Sequence, residues 1–355
     1  MTIKQFENYA DELAAFEMTE ILTIIEMLKR EIEVRNLDAD EARSFLLGRL
    51  SRPMRDIFDR STPRGAAQGK FLDALSSRSP RVRMRFARLA TEISNQCPDA
   101  AKFVAENSDD LDKKIKWYKI GRNDSRWIIE QSFIKDKPGM LSEFTSSRIF
   151  LRCSFRLAQG LLLAGDFDSV FSIYEELLEL DQVDVLRIRH HKVLAYLFSG
   201  QYEDGLRYIE TVSDNQNLLY KYCKAILAFL KEGDSFNAII AANEAFWFDQ
   251  RLMQALDTVT FTNDSFLKVF VDSDGFTECP KESLDLVIYC LVKLLPVLKL
   301  GETKNWLKVR YEKWQKSARF VESVSKATLV SPEESNAAVS SSLRLVHSAQ
   351  CTPTF

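Results

Sequence analysis

The sequence predicts an all-α protein built from helical hairpins, and three observations carry that expectation. Only 12 glycines and 9 prolines occur in 355 residues, few for a chain rich in tight turns. Apolar residues recur at three- and four-residue steps over long stretches, the period of an amphipathic helix. Three segments in the middle of the chain align on a turn glycine, Gly165, Gly200 and Gly233, at separations of 35 and 33 residues. A period in that range signals stacked helical units, because one helix pair cannot bury its apolar face alone.

Taken in order, the chain opens with Phe16, Ile21, Ile24, Ile25, Leu28 and Ile32 at helical spacing, which predicts a helical opening from Phe6 to about Leu50. Its other face is acidic, with Asp11, Glu12, Glu17, Glu20, Glu26, Glu31, Glu33, Asp38, Asp40 and Glu41. Arg49 to Arg88 then reverses the sign: ten arginines and Lys70 face three aspartates, a local charge of +8 in a chain of formal net charge -3. Within it, Ser79 suits a helix N-cap and Pro80 the first turn. Val82, Phe86, Leu89 and Ile93 fall on one face, and Arg81, Arg85 and Arg88 on an adjoining one. Three roles stand open for these arginines: balancing the acidic opening within the fold, meeting an acidic protein partner, or contacting phosphates of a nucleic acid.

The middle third holds the repeats. Each turn glycine is preceded and followed by a helical stretch, as in Leu151 to Gly165 and then Phe167 to Asp181. Gly165-Asp-Phe with Val170, Tyr174 and Leu177, and Gly233-Asp with Ala238, Ala242 and Ala245, resemble the tetratricopeptide repeat family; the middle copy carries Gly205 at the small position. That resemblance covers about residues 151–250 and implies a right-handed α-solenoid of helix–turn–helix repeats with helical flanking regions. It also implies a non-catalytic adaptor or scaffold that takes a partner segment in a concave groove. In the family's register the groove positions are Arg152, Phe155 and Gln159, then Arg187, His190 and Leu194, then Tyr220, Cys223 and Leu227, with Arg156 and Lys224 beside them. Those cations favour an acidic peptide or chain terminus. On this reading 1–150 is an N-terminal helical region, 251–322 a C-terminal one, and 323–355 a flexible tail whose Ser, Thr, Ala and Pro break the apolar pattern.

Chemistry-bearing motifs are scarce. The six cysteines form no Cys-x-x-Cys pair and lie apart from the three histidines, so no zinc spacing occurs, no cofactor is implied, and structural thiols in the cytoplasm are expected. Asp272-Ser-Asp-Gly275 reads as a turn, because Phe276 and Cys279 interrupt the ligand spacing of a calcium loop. His190 and His191, as neighbours on a helix, point about 100° apart and do not converge on one substrate. Glu175-Glu176 and Asp109-Asp110 read as solvated helix faces. Neither a secretory leader nor a bilayer-length apolar run is expected; Leu284 to Leu298 reads as a buried helix, and Trp306 to Lys316 as an amphipathic terminal helix. Two rival functions remain at this level. One is a nucleic-acid-associated regulator using residues 49–88, and the other an enzyme of an all-α type with polar groups near Trp117-Tyr118 and Arg122 to Trp127.

Overall fold

The computed structural model describes residues 18–53, 56–212, 217–258, 287, 290, 291, 293, 294, 297, 298 and 301–328. Among these the regular structure is helical with no strand, and one isolated antiparallel bridge joins Met140 to Asp181. The described residues form two compact units, one up to Ala195 and one from Tyr196 onward.

In the first unit the helical opening is divided. Helices α1 (Met18–Val34) and α2 (Ala39–Leu50) are separated at Asn36, whose φ of 51° is left-handed. Asp38 restarts the chain: its carboxylate accepts from the N–H groups of Asp40 and Glu41, while the Glu41 carboxylate accepts from Asp38 N–H. The buried face of α1 carries Ile24, Met27 and Leu28, whereas Ile25, expected inside, is exposed.

Next come α3 (Pro63–Leu75), α4 (Pro80–Ile93), α5 (Pro98–Glu106) and α6 (Leu111–Ile129), each packed on its sequence neighbour. The first three begin with proline, which has no N–H to leave unsatisfied there. Their core joins Met27 of α1, Phe71 and Leu72 of α3, Ala87 and Ala90 of α4 and Val104 of α5. The short α7 (Ser132–Lys135) and a single 3-10 turn at Leu141–Glu143 lead to α8 (Arg148–Ala164) and α9 (Phe167–Leu180). Helices α6 and α8 approach closely: a Cβ on Gly121 would stand 2.8 Å from Cys153 Sγ, and one on Gly160 2.9 Å from Ile115. Gly165 ends α8 at φ +81°, a left-handed position that glycine fills without strain, and Asp166 then caps α9.

Helix α10 (Ile188–Ser199) contains the division between the units. The second unit continues with α11 (Tyr202–Thr211), α12 (Leu218–Glu232), α13 (Phe236–Phe248), α14 (Arg251–Thr258) and α15 (Glu302–Thr328). Gly200 and Gly233 stand between consecutive helices with positive φ, at the turn positions that the spacing predicts. Gly205 lets α11 close in, since a Cβ there would lie 2.9 Å from Tyr196 Cβ. Helix α13 buries Ala238, Ala241, Ala242 and Ala245, small residues that allow it to pack along α12.

Val287, Cys290, Leu291, Leu294, Val297 and Leu298 are helical and buried, in keeping with a buried helix near 284–298. On α15, Trp306 stacks on Phe229 with ring centroids 4.3 Å apart and donates from Nε1 to Asp234 Oδ1 at 2.6 Å. The Trp306–Lys316 segment is thus a packed helix. It runs on to Thr328, past the boundary at 322 that composition suggests, and residues 329–355 lie outside the described residues. Among the described residues no helix is long and apolar enough to cross a membrane.

Candidate functional site

The groove positions drawn from the repeat register are largely interior. Phe155, Arg156, Gln159, His190 and Tyr220 are all buried, as are Leu194, Cys223 and Leu227. Phe155 meets the His191 ring edge-on at 4.7 Å, and Arg156 Nη1 donates to Gln159 Oε1 at 3.1 Å. Arg152 is tied to Glu26 at 2.6 Å, and Lys224 lies 3.6 Å from Glu244. Arg187 is half-buried ahead of α10 with φ +54°. In the first unit the structure therefore gathers Phe155, Arg156, Gln159 and His191 as packing residues. Their side chains do not present a free surface to a ligand.

The arginine question resolves differently from any single expectation. Internal balance exists, but other arginines provide it. Arg83 pairs with Glu20, Arg64 with Glu31 at 2.7 Å, and Arg60 with Asp73 at 2.8 Å. Arg30 of α1 meets Asp99 at 2.5 Å with both side chains buried. Glu33 accepts from the N–H groups of Thr145 and Ser146 at 3.0 and 2.7 Å, just ahead of α8. The acids Glu20, Glu26, Glu31 and Glu33 of α1 are consequently all engaged. Arg81, Arg85 and Arg88 are exposed and pair with no described residue. The reason is the face that α4 buries: small Ala87 and Ala90 admit the neighbouring helices, so Val82, Phe86 and Leu89 are only half-buried and Ile93 is exposed. At 100° per residue the three arginines stand opposite Ala87 and Ala90.

A second accessible surface was missed by the sequence reading. On α13, Phe236, Ile240 and Trp247 fall on one stripe opposite the buried alanines, with Phe248 beside them; Phe236 is 61% and Trp247 71% exposed. Ile240, Trp247 and Phe248 line a shallow cleft with Lys221, Asn243 and Glu244. Trp247 touches Trp314 of α15 edge-on at 5.2 Å. The available signal was Phe236, Ile240 and Trp247 at helical spacing beside an alanine face that already satisfies the packing.

The remaining candidates are structural in their placement. Arg122 and Arg126 both pair with Glu176, Arg64 lies over the Trp127 ring at 4.6 Å, and Tyr118 is buried. Asp110 caps α6 through Lys113 N–H at 2.8 Å, and Glu175 meets Lys192 at 3.3 Å. Cys97, Cys153, Cys223 and Cys290 are buried and form no disulfide, and burial pushes the first three up from the ordinary thiol range. Asp272–Gly275 lies outside the described residues.

Asp124 of α6 is half-buried, and desolvation raises its carboxyl to about 6. An unfolded aspartate titrates near 3.9, so the folded state holds more protons between about pH 4 and 6, and stability falls as pH rises through that window. Asp124→Asn is expected to stabilise the protein at pH 7 by roughly 1 kcal/mol, a figure discounted for the group's partial exposure, and to add nothing below about pH 4. Urea unfolding at the two pH values checks this; an equal gain at both would point to packing rather than charge. No family model matches the sequence, and no curated protein matches it.

Proposed function

We propose that the protein is a non-catalytic scaffold of tetratricopeptide-like hairpins, arranged as a right-handed α-solenoid, that binds an amphipathic helix of a partner protein. The observation that carries this reading is the exposed aromatic row on α13. An apolar stripe with a tryptophan 71% exposed is a surface that water penalises and a partner relieves. From Phe236 to Trp247 the row extends about 16 Å at the helical rise, a length that about three turns of a docked helix would cover. Lys221, Lys224, Asn243 and Glu244 edge it, the polar rim that keeps such a surface soluble when free. The occupied groove positions move the proposed contact from the first helix of the hairpin to the second.

A peptide library of amphipathic sequences displayed on phage and panned against the full chain tests the reading. Selected peptides should carry an apolar face, and Trp247→Ser and Ile240→Glu should each weaken them by about tenfold or more. Binding that survives both substitutions within about twofold would remove α13 as the docking surface.

A further inference from the structure

The exposed arginines of α4 form a row with Arg78, which is also exposed and lies just ahead of the Ser79 N-cap. We infer that Arg78, Arg81, Arg85 and Arg88 are the docking surface for an acidic helical segment of another protein, one whose carboxylates recur at three- and four-residue spacing. This surface is separate from the α13 row.

The first support is the contrast within one unit. Arg30, Arg60, Arg64, Arg83, Arg122 and Arg152 each meet a carboxylate of this chain, while these four meet none among the described residues. Arg83 lies between Arg81 and Arg85 in sequence yet turns to Glu20, so the difference follows the helix face and not the composition. The second support is that α4 is locally ill suited to stand unliganded. Like charges three and four residues apart oppose helix formation. Arg81 stands at the positive end of the helix dipole, no acidic residue occupies the first turn, and Ser79 makes no side-chain cap. A local sequence that contradicts its own helix marks a place where something else supplies the missing term. Carboxylates laid along the row would offset the repulsion and the dipole together.

The choice of a protein carboxylate over a phosphate chain rests on extent and field. Within α4 the row from Arg81 to Arg88 spans about 10 Å at the helical rise. It ends at exposed Glu92, one turn beyond Arg88. A long polyanion would also meet the repulsion of a chain with net charge -3. A short acidic helix needs only the row itself: its carboxylates repeat at the same pitch as the guanidinium forks, each of which takes a carboxylate through two parallel hydrogen bonds. So small a contact gives a fast, weak and salt-sensitive complex.

The test uses the full chain and three labelled probes followed by fluorescence anisotropy at about 50 mM salt, where surface charges act over roughly a Debye length. The probes are an alanine-based helical peptide with glutamates at three- and four-residue spacing, its glutamine counterpart, and a short DNA duplex. The glutamate peptide should bind and the glutamine peptide should not. Arg81→Gln, Arg85→Gln and Arg88→Gln combined should weaken binding by about tenfold or more, while Arg83→Gln leaves it within about twofold. The triple variant should melt at the wild-type temperature or above, which separates a lost contact from a lost fold. Three results would overturn the inference: no binding of the glutamate peptide up to about 1 mM, equal binding by the triple variant, or tighter binding of the duplex that the triple variant loses. The last would assign the row to nucleic acid.

Discussion

Replacing Arg30 with methionine is expected to destabilise the protein by about 3–5 kcal/mol, because it leaves the Asp99 carboxylate buried without its partner. Both Asp99 oxygens accept from Arg30, at 2.5 and 3.1 Å, and both side chains are almost fully inside. Burial alone would raise the Asp99 carboxyl, but the guanidinium outweighs it and holds the group below the usual carboxylate range. With a depressed folded pKa, the pair's contribution is present above the unfolded value near 3.9 and fades as pH falls through the depressed one. In Arg30→Met the sign reverses. Burial without the cation raises Asp99, so the variant is weakest at neutral pH and its deficit narrows toward about pH 4. Arg30→Met with Asp99→Leu should recover much of the loss, since apolar replacement of a buried pair is often neutral or better. Denaturant melts of the two single variants and the double variant decide it. A deficit independent of pH, or a double variant no better than either single one, would mean that packing rather than charge holds this site.

Ala242→Glu is the second large expectation, a loss of several kcal/mol from forcing a charge into a contact sized for a methyl group. Ala242 is fully buried among Ala238, Ala241 and Ala245 on α13. Ile240→Glu on the exposed side of the same helix should stay within about 0.5 kcal/mol. Thermal unfolding of the pair reads both faces of α13 at once, and similar midpoints would show that the alanine face is not a packed one.

The turn glycines were legible because their requirement is local. A chain leaving a helix at positive φ favours glycine, and Gly165, Gly200 and Gly233 stand where the period places them. The faces were less legible. Periodicity groups Val82 with Phe86 and Ala87 with Ala90 equally well, and it does not say which group a neighbouring helix will approach. On α4 the smaller group is buried, and that choice carried Arg81, Arg85 and Arg88 outward while Arg83 went in to Glu20. Most of the groove positions are interior for a related reason. The register fixes where Phe155, Gln159, His190 and Tyr220 stand along their helices, but only the packed structure shows that those positions are interior. The partners of Glu20, Arg30, Glu33 and Glu26 on α1 lie 63 to 126 residues away, beyond any local rule.

That last distance sets a clock. Helix α1 leaves the ribosome with Glu20, Glu26, Arg30 and Glu33 hydrated, and none can be neutralised or capped until Arg83, Arg152, Asp99 and the segment at Thr145 have followed. At synthesis rates of 5–20 residues per second, Arg152 trails Glu26 by 126 positions, a wait of roughly 6–25 s. The apolar face of α1 gains its core partners earlier, as Phe71, Ala87 and Val104 follow, so Glu26 is left waiting longest. Nascent chains arrested before Phe71 should therefore expose α1 to protease and to holdase chaperones, while chains released after Arg152 should not.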